Sequence, residues 1–372
     1  MIYLDYAANT PVDPIVLDQY IQLTKDYIAN PNSTHSLGMK AAERINESTA
    51  KIAQLLNVKP EEIIYTSGAS ESNNLAIKGI VSSYHKNGKH IISTGLEHSS
   101  VSGTLTYLQS IGYEIDLVDI TRDGTVDMEH LKELLRNDTI LVTIGYVDSE
   151  LGVKQPIEEI GELLKQYPNC HFHTDGTQAA GKIPLNLDNV DCFTCAPHKF
   201  FGINGFGLLV KKEGVILEPI IHGGASTTIY RSGTPVLAMA GAMEKAMEIA
   251  FREQQSRYDH VKQLNDYLRT QFAAYKLVTI NSTKESIPFT LNLSVKGVKS
   301  AVFQKSLDDK GIFVSTKSAC SVPNTPSRAV YSVSHDRKNA LASWRISMSH
   351  LTTKEEIDEF LKCFDACYNE LT

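Results

Sequence analysis

Between His173 and Gly207 the sequence reads HTDGTQAAGKIPLNLDNVDCFTCAPHKFFGINGFG. It places a carboxylate, Asp175, at the end of an apolar run, then the pair His198 and Lys199, then glycines at Gly202, Gly205 and Gly207. An amine among Pro197, Phe200 and Phe201 sits in an apolar setting, which lowers its pKa and keeps it nucleophilic near neutrality. Such an amine condenses with a carbonyl, and a strand-end carboxylate keeps a pyridine nitrogen protonated so that the ring draws electrons. Together they suit an enzyme that carries a pyridoxal phosphate ring. The plainer alternatives are a solvated lysine and a helix-capping aspartate.

Other positions bear on the same chemistry. The loop TSGASESN, Thr66 to Asn73, follows an apolar run and opens a helix pattern. Its backbone N–H groups and the helix dipole favour an anion such as phosphate, although Ser and Gly are also ordinary helix-entry residues. His98, in LEHSS, follows another apolar run, where a ring can stack on a planar group and move protons. Gln178 stands one helical turn beyond Asp175, so an amide and a carboxylate share one strand end. Cys320, in TKSACSVPNTPS, lies in a polar loop and is expected to be an exposed, nucleophilic thiol. Arg345, in SWRIS, can hold a carboxylate with two N–H groups, and Arg231, in YRSGTP, suits an interface or a phosphate.

Those residues need a scaffold that gathers strand ends. From IIYT at Ile63 to HFHT before Asp175, short apolar runs alternate with helix-length amphipathic stretches. This predicts an α/β fold with a mainly parallel sheet covered on both faces. Ligands bind at the carboxyl ends of such strands, which singles out the loops after Thr66, Thr94, Val147 and Thr174. Near Phe251 the pattern changes to a long charged helix, then the strands LVTINS, FTLNLSV and GIFVS and a final helix from about Lys354 to Tyr368. The division expected is a large domain over residues 12–252 and a smaller α+β domain formed by 1–11 and 253–372.

Composition narrows the class. With 36 Lys+Arg against 43 Asp+Glu the net charge is -7, and the basic residues are scattered, so neither nucleic acid nor an anionic membrane is an expected partner. The start lacks the features of a signal peptide and no apolar run would span a bilayer, so the expected location is the cytoplasm. Six cysteines in a chain this long form no disulfide framework, and no metal site is expected. Cys192 and Cys195 form a C-x-x-C without a second pair at zinc-ribbon distance, and VDCFTC reads as a buried strand. Cys363 and Cys367 are spaced to face a core from one helix.

The chain resembles the pyridoxal-phosphate cysteine desulfurases of the nitrogen-fixation and iron–sulfur-assembly type, within the class V aminotransferases of fold type I. The resemblance runs through YLDYAANTPVDP, NPNSTHSLG, TSGASESNNLAIKG, LEHSSV, ELGVKQPI, HTDGTQAAGKIPL, HKFFGINGFG, HGG, RSGTP, SAC and TTKEEID, in order along the chain. It implies a seven-stranded sheet, pyridoxal 5'-phosphate as cofactor, L-cysteine as substrate and a homodimer. It makes Lys199 the cofactor-bonded lysine, His98 the ring-stacking acid/base, Asp175 the partner of the pyridine nitrogen and Gln178 a contact to the ring oxygen. Ala69, Ser70 and His198 would hold the phosphate, and Thr234 would reach that of the neighbouring subunit. Arg345 would bind the substrate carboxylate. Cys320 would take the sulfur as a persulfide and pass it to an acceptor protein, an iron–sulfur scaffold or an enzyme of tRNA or cofactor thiolation.

Three departures stand out. Asp148 and Ser149 replace the family's Asn-Asn, so Ser149 occupies the position of an asparagine that contacts the ring oxygen. Ala196 removes a phosphate-binding hydroxyl, a loss of about 1.5–3 kcal/mol, or roughly ten- to a hundredfold in affinity, unless a neighbour compensates. The loop after Cys320 carries Pro323 and Pro326, and is about one residue shorter and stiffer than usual. These departures leave two alternatives to a desulfurase: a degenerate sulfur-relay or scaffold subunit, and a related lyase or aminotransferase.

Overall fold

Runs such as HIIS and TILVT are too short for helices and are buried along their whole length, and each forms a strand covered on both faces. The computed structural model describes residues 1–317 and 325–372. In chain order, β1 (Ile2–Tyr3), α1 (Pro14–Asp26) and α2 (Ser36–Leu56) precede the central sheet. Its strands are β2 (Ile63–Thr66), β3 (His90–Ser93), β4 (Glu114–Leu117), β5 (Thr139–Thr143), β6 (His171–Asp175), β7 (Cys192–Cys195) and β8 (Gly207–Lys211). They lie in the order β2-β8-β7-β6-β5-β3-β4. Strands β3 to β7 are parallel, and β8 runs antiparallel to both its neighbours. The fold is thus α/β with a mainly parallel seven-stranded sheet. The helices α3 (Ala69–Tyr84), α4 (Ser99–Ser110), α5 (Met128–Leu134) and α6 (Ile157–Leu164) alternate with the strands.

The two faces of the sheet belong to separate apolar clusters. Cys192 packs with Ile64, Leu75 and Leu209, whereas Cys195 packs on the other face with Phe172 and Phe193. Alternation along the strand therefore points the two thiols of the C-x-x-C away from each other, and both are core residues.

After β8 come α7 (Leu237–Arg252) and α8 (Gln254–Phe272). Sequence patterning predicts one helix from about Arg252 and leaves α7 unmarked. The reason is that LAMAGAMEKAMEIA is buried on most sides and shows no narrow apolar stripe. Helix α7 packs against α1 and α2, and its buried Glu244 accepts from Arg44 Nη2 at 2.8 Å, Lys51 Nζ at 2.9 Å and Ser48 Oγ at 2.8 Å.

The C-terminal part holds β9 (Val278–Ile280), β10 (Thr290–Val295), β11 (Ile312–Phe313) and β12 (Ser343–Ser347). Strand β10 lies between β9 and β12 in an antiparallel sheet, and β11 pairs in parallel with β1. The N-terminal strand is thereby joined to the far end of the chain. Two short helices that the sequence pattern does not reveal, Arg328–Ser334 and Arg337–Ala342, are capped by Ser327 and Asp336. Among the described residues, no helix is long and apolar enough to cross a membrane.

Candidate active site

The segments that follow β2, β3, β5, β6 and β7 converge with β12 on a cavity of about 380 Å³. Ala69, Ser70, His98, Ser149, Asp175, Gln178, His198, Lys199 and Arg345 all line it. That size is within the range of about 300–1,000 Å³ usual for small-molecule sites.

Asp175 is the last residue of β6. Its Oδ2 accepts from Asn73 Nδ2 at 2.7 Å, and its Oδ1 accepts the Thr177 backbone N–H at 2.9 Å. No helix follows Asp175, so it is not a helix cap; one carboxylate oxygen instead caps the turn that begins at Thr177. Lys199 closes a single 3-10 turn, Pro197–Lys199, rather than sitting in an open glycine turn. Its Nζ donates to the carbonyls of Ala7 at 2.9 Å and Ala8 at 2.6 Å. Gln178 Nε2 donates to that same Ala7 carbonyl at 2.9 Å, and its Oε1 accepts from Lys182 Nζ at 2.7 Å. Burial pushes the Lys182 amine down to about 7, helped by the charges of Lys199 and Arg345.

His98 is the N-cap of α4, with Nδ1 toward the helix N-terminus. Burial holds its ring below the usual histidine range. His198 is pushed down to about 4 by burial and by the amines of Lys199 and Lys182, so its ring is neutral at pH 7. Ala69 and Ser70 form the first turn of α3. The glycine at 207 has a steric reason there: a Cβ would lie 2.6 Å from the Gly68 backbone, at the entry to α3.

Arg345 comes from the other end of the chain and is almost wholly buried. Its Nη2 bonds Asp5 Oδ1 at 2.8 Å and its Nη1 donates to the Ser149 carbonyl at 2.6 Å. Its Nε is buried with no partner among the described residues, as is Asp148 Oδ1. Burial pushes the Asp148 carboxyl up to about 7.

Two positions singled out in the sequence, Thr234 and Ala196, do not line this cavity. Thr234 is exposed and lines a separate cavity of about 100 Å³ with Arg231 and Ser67. Ala196 is fully buried, so its methyl group does not face the cavity. Cys320, with Pro323, lies outside the described residues. Arg231 bonds Glu71 Oε1 at 2.9 Å, in the first turn of α3. Asn73, Lys182 and Asp5 escape sequence reasoning because each acts through another side chain. The available signals are an asparagine one turn into α3, a lysine four residues after Gln178, and an acid within an apolar opening segment.

The sequence matches the aminotransferase class-V family over residues 2–360. The chain belongs to that family. It is 36% identical over 375 residues to the cysteine desulfurase IscS of Dictyoglomus turgidum, covering 100% of this chain and 95% of that protein. It is 38% identical over 379 residues to the cysteine desulfurase IscS of Vibrio cholerae, covering 100% and 93%. A solved structure described as a NifS-like protein superposes with a TM-score of 0.93 at 33% identity, covering 100% of both chains. Members of the class V family depend on pyridoxal phosphate. The residues here fit that cofactor. An amine and a held carboxylate face one cavity with a helix N-terminus, and the orphaned Arg345 Nε and Asp148 Oδ1 belong to residues that line it.

Proposed function

We propose that this chain is a cysteine desulfurase, which converts L-cysteine to L-alanine and takes up the sulfur on Cys320. The observation that carries this reading is the meeting of Arg345, from the C-terminal sheet, with Lys199, Asp175, Gln178 and His98 around one cavity. Lys199 is the attachment point of pyridoxal phosphate, Asp175 partners the pyridine nitrogen, and Gln178 and Ser149 face the ring oxygen. Ala69, Ser70 and His198 hold the phosphate, and Thr234 serves the neighbouring subunit of a homodimer. When bound, the cofactor supplies an electron sink that labilises bonds at the substrate's α-carbon.

The chain's own groups do the rest. Arg345 binds the substrate carboxylate, and Asp5 and the Ser149 carbonyl keep its guanidinium in place. The Lys199 amine takes the α-proton, and His98 moves a proton at its ring nitrogen. The Cys320 thiolate attacks the substrate sulfur: an S–S bond forms, the C–S bond breaks, and the carbon side takes up a proton to leave as L-alanine. The Cys320 persulfide then passes its outer sulfur to an acceptor protein, an iron–sulfur scaffold or a thiolation enzyme, in the cytoplasm.

An absorption spectrum of the purified protein before and after L-cysteine tests this. Alanine and sulfide are assayed in the same tube with a thiol reductant. The expected result is a visible band that moves on addition of cysteine, with alanine and sulfide formed together. A protein that stays colourless and inert with added pyridoxal phosphate overturns the reading in favour of a relay subunit.

A further inference from the structure

Behind the cavity wall a line of side chains joins Asp175 to His98. Asn73 Nδ2 lies 2.7 Å from Asp175 Oδ2 and 2.9 Å from Ser100 Oγ. Ser100 Oγ in turn lies 2.9 Å from His98 Nδ1, and the Ser100 backbone N–H donates to the same Nδ1 at 3.2 Å. Asn73 is fully buried.

The protons along this line are fixed by elimination. A carboxylate only accepts, so Asn73 turns its NH2 toward Asp175, and the second N–H of that group meets Ser100 Oγ. The orientation has a visible cost, because Asn73 Oδ1 is buried with no partner among the described residues. Turned the other way, that oxygen would face the carboxylate. Ser100 Oγ therefore accepts from Asn73, and its single proton is left for His98 Nδ1. That nitrogen also accepts the backbone N–H. A ring nitrogen that accepts two hydrogen bonds carries no proton, so the neutral imidazole bears its hydrogen on Nε2, the nitrogen away from the helix cap.

We propose that Asn73 and Ser100 are positioning residues that carry the hydrogen-bond orientation set by Asp175 to His98, fixing the Nε2–H tautomer so that the ring meets the cavity as a proton donor. The proposal rests on His98 being the proton carrier of the desulfurase reaction. It leaves Lys199 as the group that lifts the α-proton. Donors on Nδ1 oppose protonation of the ring, the same direction in which burial acts. Among the charged groups around the ring, Asp175 and Glu150 favour the charged form and Lys199 and Arg328 oppose it.

The test uses the full chain loaded with pyridoxal 5'-phosphate and labelled with ¹⁵N-histidine, the His98 signals being assigned by their loss in His98→Gln. The wild type is expected to show a proton on Nε2 and a bare Nδ1. Ser100→Ala should mix the two tautomers and raise the His98 midpoint by about half to one pH unit, since it removes one of the two donors on Nδ1. The acid limb of the alanine-forming rate should move with it. Ser100→Thr keeps the hydroxyl and should restore both values, which separates the relay from a packing defect. A proton on Nδ1 in the wild type, or an unchanged midpoint and unchanged signals in Ser100→Ala, overturns the proposal. Nε2–H with the expected Ser100→Ala shift, in a protein that makes no alanine, upholds the relay and removes the desulfurase reading.

Discussion

The two ends of the cavity, proposed to hold the cofactor's ring and its phosphate, are built on different principles. At the ring end, Asp175, Gln178 and Lys199 each have at least one hydrogen-bond partner from the same chain, over distances of 2.6–2.9 Å. At the phosphate end, the first turn of α3 offers backbone N–H groups, Ser70 is exposed, and Thr234 lines a different cavity. One end is organised by side chains within the fold. The other depends on a helix terminus and on what the exposed segment around Thr234 meets. Damage should therefore be large at the ring end and small at the phosphate end.

The largest effect is expected from Lys199→Ala. It removes the only covalent anchor proposed for the cofactor, so the visible band should vanish and alanine formation fall by a factor of about 10³ or more. An unchanged chromophore would place the anchor elsewhere. Next comes Asp175→Asn. Neutralising a half-buried carboxylate that we propose faces the pyridine nitrogen should lower the rate of alanine formation by about 10²–10³, with the protein still folded. A loss under threefold would show that the carboxylate does no more than cap the turn through Thr177.

These two residues were legible in the sequence for a physical reason. An alternating strand and helix pattern puts the carboxyl ends of the parallel strands at one end of the sheet, so a chemically apt residue just after an apolar run is already located. Asp175, His98 and the Thr66–Asn73 loop were found that way. Arg345 was named as a carboxylate binder from its residue type and from the resemblance, but not from the strand pattern, because β12 reaches the cavity through pairings between the chain's two ends, such as the Asp5–Ser347 bridge. Asp5 and Lys182 were not legible at all, since what matters about each is the side chain it touches. Helix α7 was missed because a helix buried on most sides carries no stripe.

Arg345→Lys probes that long-range contribution. A lysine keeps the charge and loses the planar pair of donors, so the KM for L-cysteine should rise about ten- to a hundredfold while kcat changes less. Equal losses in both would mean that the guanidinium acts beyond substrate binding.

Lys182→Met separates organisation from stability at the ring end. The thioether fills the volume of a buried amine without its desolvation cost, so the melting temperature should hold or rise. Gln178 Oε1, however, loses its donor, and the amide becomes free to turn. Cofactor affinity, titrated into the cofactor-free protein, should fall about fivefold. A drop in melting temperature with unchanged affinity would make Lys182 a structural residue.

Ala196→Ser asks whether the phosphate end has lost something it needs. If the missing hydroxyl were a vacated phosphate ligand, restoring it would raise cofactor affinity by roughly tenfold or more. Ala196 is fully buried, however, so a new hydroxyl there has packed protein around it and not the cavity. The α3 terminus and His198 are both on the cavity wall and are the proposed anion-binding surface. The affinity of Ala196→Ser for pyridoxal phosphate should accordingly stay within about threefold of the starting chain, less than one hydrogen bond to a charged group would give. A tenfold gain would reverse the comparison, because the phosphate end would then be a side-chain site with a part missing, and α3 alone would not account for binding.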